Sequence, residues 1–324
     1  MEKQIKKFAD RVIAGGILSF EDSKRLLAVQ DDNLKYLLNA ANRIREHFRS
    51  DKVSLCSITN AKSGSCNQDC KFCAQSVFHN TATKTHPLIE PQEMLRRAEI
   101  AQNTPTQRFC LVTSGRSLSD EEIDNVCLGL RLIKEKFPGL KLDASLGLLT
   151  KERIEKLKQS GLSRYNHNLE TSKNYFKNIC TTHTFEQRVR TVKLVKAAGL
   201  EICCGGIFGL GESEIDRLEL AVALRELDVD CIPINLLNPI AGTPLESQKI
   251  LSAEEAFKII AILRFLNPGK EIKICGGRQS VLKDKQSQIF FAGADSIIMG
   301  DYLTTKGNPA SQDLEMIQSL GLKI

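Results

Sequence analysis

Apolar residues recur every three or four positions through residues 1–49, in ADRVIAGGILSFEDSKRLLAV and DDNLKYLLNAANRIREHF, and that spacing predicts helices. Ser19 and Asp31 are suited to starting two of them. Beyond residue 50 the pattern alternates. Short apolar runs at 52–59, 108–115, 140–147, 163–170, 200–209, 230–237, 271–277 and 296–300 read as strands covered on both faces. Amphipathic stretches near 91–103, 119–136, 150–160, 184–198, 212–227, 252–266, 281–291 and 311–320 predict helices, with Ser119, Thr150 and Ser252 as starts. Eight strand-plus-helix units predict an α/β fold, a closed (βα)8 barrel of the TIM type, in preference to an open doubly wound sheet. The expected division is an N-terminal helical extension, 1–49, and one barrel domain, 50–324. Two long connections, 60–90 and 238–250, follow strands, which places them at the C-terminal face where barrels build their sites.

Composition narrows the function. No run approaches the roughly 18 apolar residues of a membrane span, so no membrane role is expected. The opening MEKQIKKFADRVIAGG is charged throughout and lacks the apolar core of a secretory leader, which sets the expectation of a cytoplasmic protein. The net charge of +6 is spread along 324 residues without a basic block, so no nucleic-acid surface is expected. Eleven cysteines in such a chain point to metal chemistry, with some inert core thiols among them.

Three of the cysteines, Cys66, Cys70 and Cys73, fall within SGSCNQDCKFCAQS at the spacing C-x3-C-x2-C. Structural zinc and ordinary electron-transfer clusters take four protein ligands. There is no second C-x2-C knuckle and no C-x2-C-x2-C-x3-C run. Either a fourth ligand comes from elsewhere or one metal position stays open.

With Phe72 before the last cysteine, the run resembles that of the radical S-adenosylmethionine (SAM) superfamily. The resemblance implies a 4Fe-4S cluster whose fourth iron binds SAM, and a 5′-deoxyadenosyl radical formed by reductive cleavage. CSITNAKSGSCNQDCKFCAQS, RYNHNLETS, CGGIFGLGES, PINLLNPIAGTPL, GGRQS and AGADSIIMG, in that order, resemble the biotin synthase family over nearly all of the chain after residue 50. That implies a homodimeric barrel inserting sulfur into dethiobiotin. A reductase with flavodoxin or ferredoxin would supply electrons, and iron–sulfur assembly machinery would load the chain. By resemblance Asn168, Glu170 and Arg188 contact SAM, Glu170 at its ribose and Arg188 at its carboxylate, while Asn166 and Asn235 contact substrate. An extended strand would put Asn166, Asn168 and Glu170 on one face. No residue is assigned as a catalytic acid or base.

The sequence departs from the family at the second cluster. A 2Fe-2S cluster there takes three cysteines and an arginine; Cys110 and Cys203 match two of these, but Asp143 and Lys273 stand at the other two. Cys56 and Cys231 are expected on the barrel interior, and four thiolates suit a four-iron auxiliary cluster better than a 2Fe-2S one. Cys275 shares a face with Lys273, Cys204 should point outward from Cys203, and Cys127 and Cys180 are expected to be inert. The competing readings are a hydrogenase-maturase-like or amino-acid-mutase-like relative, or a non-catalytic iron–sulfur protein.

Overall fold

The computed structural model describes residues 1–324, apart from the side chain of Asp31. Three helices form the extension: α1 (Glu2–Ile13), α2 (Phe20–Leu27) and α3 (Asp31–Arg49). Ser19 caps α2 by accepting from the Asp22 amide, as expected. The expected capping role of Asp31 lies outside the described residues, and Gln30 holds the capping position of α3.

The barrel then follows as β1 (Ser54–Lys62), α4 (Pro91–Gln102), β2 (Arg108–Thr113), α5 (Asp120–Lys136), β3 (Lys141–Ser145), α6 (Lys151–Gln159) and β4 (Leu162–Asn166). The second half runs α7 (Lys173–Phe176), α8 (Phe185–Ala197), β5 (Glu201–Cys203), β6 (Gly206–Phe208), α9 (Glu214–Glu226), β7 (Cys231–Leu236), α10 (Ala253–Leu266) and β8 (Glu271–Ile274). It ends with α11 (Arg278–Leu282), α12 (Gln288–Phe291), β9 (Ser296–Met299) and α13 (Ala310–Ser319). All strand pairings are parallel, in the order β5-β4-β3-β2-β1-β9-β8-β7-β6, and β5 also pairs with β7. Strands β5 and β6 are two pieces of one stave, so the ring closes with eight staves, the (βα)8 barrel that the alternation predicts. Ser119 and Ser252 form full capping boxes with Glu122 and Glu255, and Thr150 caps α6 through the Arg153 amide.

Three expected elements differ. The stave at 200–209 breaks at Cys204–Gly205, where a Cβ on Gly205 would lie 2.1 Å from the Pro233 carbonyl oxygen. The strand expected over 163–170 stops at Asn166. The helix expected over 281–291 is the short helices α11 and α12, because Lys283 adopts φ 50° and a 3-10 turn intervenes.

One buried carboxylate ties the extension to the barrel where α3 packs on α10. Helix α10 is buried along almost its whole length because the barrel covers one side and α3 the other. Its Arg264 is fully buried and donates to the carbonyls of Gly293, Pro268 and Lys270, each at 2.8 Å, and to Asp295 Oδ1 at 2.6 Å. Asp295 also accepts from Arg49 Nε of α3 at 2.6 Å and from the Ile272 amide of β8 at 2.8 Å. Removing it strands a buried guanidinium. Asp295→Ala is therefore expected to lower unfolding stability by about 3–5 kcal/mol, read from urea denaturation.

Candidate functional site

Period two along the staves sorts the inward side chains into three levels. The uppermost lines a cavity of about 310 Å³ at the C-terminal mouth, through Ile58, Val112, Ser145, Asn166, Pro233 and Cys275. Two residues earlier on the same staves, about 7 Å deeper, stand Cys56, Cys110, Asp143, Cys231 and Lys273. A further step down lie Ser54, Arg108, Lys141 and Glu271; Arg164, two residues before Asn166, is the register partner of both Asp143 and Glu201.

The mouth collects the cysteine run. Cys66, Cys70 and Cys73 all border the cavity. Their loop closes on itself: the Cys66 amide donates to Gln75 O at 3.0 Å and the Val77 amide to Cys66 O at 2.9 Å. It is also tied to the segment before α8. The Lys71 amide donates to Ile179 O at 2.9 Å, and Asp69 accepts from the amides and hydroxyls of both Thr181 and Thr182. Partial burial pushes the Asp69 carboxyl up, but these hydrogen bonds prevail and hold it well below the usual carboxylate range.

Asn168, Glu170, Arg188 and Asn235 border the same cavity, alongside Asn166. The expected strand alternation does not bring them there. Beyond Asn166 the regular strand ends, though the His167 and Leu169 amides still donate to Cys203 O and Gly205 O; His167 joins the lining, and Glu170 turns inward with φ 70°. Arg188 donates from Nη1 to Asn168 O at 2.8 Å and lies 3.6 Å from Glu170 Oε1. Burial pushes the Glu170 carboxyl up, with Arg188 opposing. Asn166 Oδ1, His167 Nε2 and Glu170 Oε2 are buried without hydrogen-bond partners. Three unmet polar atoms beside three thiols fit a site for a cluster and a polar ligand bearing hydroxyl and charged groups.

Beneath the mouth, Cys56, Cys110, Cys203 and Cys231 are buried but lie outside the apolar core that fills the space between staves and helices. They face the barrel interior, as expected. Cys204 belongs to that apolar core, and so does Cys127 on α5. Cys203 and Cys231 are register partners. Asn166 Nδ2 donates to Cys110 Sγ at 3.3 Å, linking the levels. Burial pushes the Cys56 thiol up to about 11, against the pull of Lys273. Cys110 and Cys231 rise well above an ordinary thiol, again mainly through burial. Cys275 borders the cavity, one level above Lys273.

The two departures from the family resolve differently. Asp143 is fully buried and clasped by Arg108, with Nη2 2.8 Å from Oδ1 and Nε at 3.0 and 3.1 Å from the two oxygens. Its carboxylate is engaged, which removes it as a metal ligand in this arrangement. Lys273 is buried, 3.5 Å from Glu271 Oε1, an oxygen that accepts no hydrogen bond. Burial works against its charge, but the charge of Glu271, and of Cys231, Cys56 and Cys203 once those thiols are deprotonated, raises its pKa above that of an ordinary lysine.

Cys180, expected to stand apart, touches the site. Its Sγ lies 3.7 Å from Cys70 Sγ and 3.2 Å from His183 Nδ1. The spacing reading missed Cys180, His183, His167 and Gln68. The only local signal was the CTTHT segment immediately before α8.

Comparison with known proteins agrees with this arrangement. A family model described as the radical SAM superfamily matches residues 62–224, and one described as the biotin and thiamin synthesis associated domain matches 233–323. The chain is 46% identical over 323 residues to a biotin synthase of Citrifermentans bemidjiense, covering 100% of this chain and 98% of that one. It is 42% identical to a biotin synthase of Heliobacterium modesticaldum, covering 100% and 99%. Among solved structures, methylornithine synthase (PylB) superimposes with a TM-score of 0.86 at 20% identity, covering 98% of this chain and 96% of that one. HydG, a maturase of the [FeFe]-hydrogenase, superimposes at 0.85 with 16% identity, covering 99% and 75%. Those two likenesses speak to the fold. Full-length identity well above the level that defines a family, joined to a three-cysteine mouth over a thiol-lined interior, makes the chain a member of the biotin synthase family of radical SAM enzymes.

Proposed function

We propose that the chain converts dethiobiotin to biotin with sulfur drawn from a four-iron auxiliary cluster held by Cys56, Cys110, Cys203 and Cys231. The observation that carries this reading is the set of four buried, inward-facing thiols, with Asp143 already spent on Arg108. Cys66, Cys70 and Cys73 hold the SAM cluster. When bound, that cluster and SAM supply a 5′-deoxyadenosyl radical, and the auxiliary cluster supplies sulfur.

The chain's own residues do the positioning. Glu170 offers the unpartnered Oε2 as an acceptor to the ribose of SAM, Asn168, whose Oδ1 is taken by the Gly205 amide, offers its side-chain amide nitrogen, and Arg188 pairs with the carboxylate of SAM. Asn166 and Asn235 hold dethiobiotin. Asn166 suits this role because its amide nitrogen is engaged by Cys110 while Oδ1 stays free. Substrate held there lies between the radical source above and the sulfur source about one pleat below. On this reading the enzyme is a cytoplasmic homodimer, served by a flavodoxin- or ferredoxin-type donor and by iron–sulfur assembly machinery. None of its described helices is long and apolar enough to cross a membrane.

Anaerobic reconstitution with iron and sulfide is expected to load about eight irons per chain; about six would instead mean a 2Fe-2S partner. Cys56→Ser and Cys231→Ser should each retain about four irons and still release 5′-deoxyadenosine, but form no biotin from dethiobiotin. Retention of about eight irons would show that these two thiols are not ligands. Deoxyadenosine without biotin from the unaltered, fully loaded chain would favour a maturase-like or mutase-like reaction.

The thiols also predict a pH dependence. Cys56 and Cys73, both pushed up to about 11 chiefly by burial, keep their protons in the folded metal-free chain. Unfolded, they release them near the ordinary thiol value of 9.0. The folded state therefore binds more protons across this window, and its stability falls as pH rises from about 9 to about 11. Urea midpoints of the reduced, metal-free chain should show this loss. The loaded chain, whose ligand thiols are already deprotonated, should not.

A further inference from the structure

Cys180 is not among the proposed cluster ligands and does not border the mouth cavity, yet it stands directly behind Cys70. Its surroundings fix the direction of the hydrogen bonds. Arg188 Nε donates to His183 Nε2 at 3.0 Å, and a guanidinium can only donate, so Nε2 carries the lone pair. The imidazole proton is thereby assigned to Nδ1, which faces Gln68 Oε1 at 2.8 Å and Cys180 Sγ at 3.2 Å. That single proton is shared between Gln68 Oε1, the nearer acceptor, and the Cys180 sulfur, and in the metal-free chain Cys70 donates to Cys180; a protonated Cys180 can donate in turn. Two acceptors lie within reach: Asp69 Oδ1 at 3.2 Å and Cys70 Sγ at 3.7 Å. Asp69 is already supplied by the amides and hydroxyls of Thr181 and Thr182. Cys70, once bound to iron, has no proton, so the contact between the two sulfurs persists only with Cys180 as donor.

We propose that Arg188, His183 and Cys180 form a hydrogen-bond relay ending on Cys70, in which Cys180 is a positioning residue that donates to the cluster ligand and raises the cluster's reduction potential. A hydrogen bond to a cluster sulfur withdraws charge from it and favours the reduced state. Successive donors polarise one another, so the guanidinium that faces SAM and the thiolate that faces iron belong to one network. The proposal rests on the reading of Cys66, Cys70 and Cys73 as the SAM-cluster ligands and of Arg188 as the partner of SAM.

The test is a redox titration of the reconstituted holoenzyme followed by electron paramagnetic resonance, reading the signal that changes on adding SAM. In Cys180→Ala the ratio of reduced to oxidised cluster at fixed potential should fall about tenfold, a midpoint about 59 mV lower. Cys180→Ser keeps a donor and should restore most of the loss. Electron–nuclear double resonance of the unaltered enzyme in light water should show a proton coupled to the reduced SAM cluster that is lost on exchange into D2O and is absent in Cys180→Ala. An unchanged midpoint in a cluster-loaded Cys180→Ala overturns the relay. So does the absence of such a proton in the unaltered enzyme, which decides the matter even where Cys180→Ala loses its cluster. A chain with no SAM-responsive signal at all would instead sink the underlying reading of the three ligands.

Discussion

Six charged side chains cross the lower barrel in an unbroken sequence, and the thiols above depend on them. Arg108 pairs with Asp143 at 2.8 Å and with Glu201 at 3.1 Å, and Arg164 with Glu201 at 2.8 Å and Glu271 at 3.0 Å. Glu271 in turn faces Lys273 at 3.5 Å. Three cations balance three anions, and among the six only Glu201 has a side chain substantially exposed. Burying such charges gains little stability, since desolvation offsets attraction. What the network provides is a charge-balanced floor whose one ammonium, Lys273, lies close enough to Cys56, Cys203 and Cys231 to interact with them electrostatically. Four thiolates gathered without a nearby cation would repel one another strongly in so dry a place.

The same inward alternation that builds the floor also separates the two chemistries. Cavity-lining residues and thiols alternate along single staves: Ile58 over Cys56, Val112 over Cys110, Pro233 over Cys231. One stave has to break to allow this. Gly205 gives the Pro233 carbonyl room that any side chain would fill, and the interruption lets Cys203 meet Cys231 in register while Cys204 turns into the apolar core. The floor and the mouth are thus fixed by backbone geometry, and only side-chain identity distinguishes them.

Much of this was legible from pattern. Staves covered on both faces read as apolar runs, and helix starts read as Ser or Thr with Glu following, so the eight units and most boundaries follow from local rules. The extension was legible as helices, but its docking was not, because the Asp295 clasp joins α3, α10 and β8 across the whole chain. The three-cysteine run announced itself by spacing. Cys180 did not, because its partner Cys70 lies 110 residues away. Glu170 reached the mouth for a reason alternation cannot supply, a left-handed backbone outside any strand. Asp143 was readable only as a missing cysteine. Its engagement by Arg108 depends on the register of β2 against β3, which no single segment encodes.

Seen through that register, the departures from the family's ligand set are coupled. An aspartate at 143 keeps a negative charge where a cysteine ligand would stand, but Arg108 draws it down to the floor and out of the ligand set. A lysine at 273 keeps the positive charge where an arginine would stand, but it offers hydrogen bonds rather than a ligating fork. Each exchange preserves the charge balance of the barrel while removing a ligand. Cys56 and Cys231 lie on the same level as both positions and bring thiols to the space those ligands vacate. A two-iron cluster held by the remaining pair, Cys110 and Cys203, would lack half its ligands. On the proposed function, the four interior thiols supply the ligands that Asp143 and Lys273 do not.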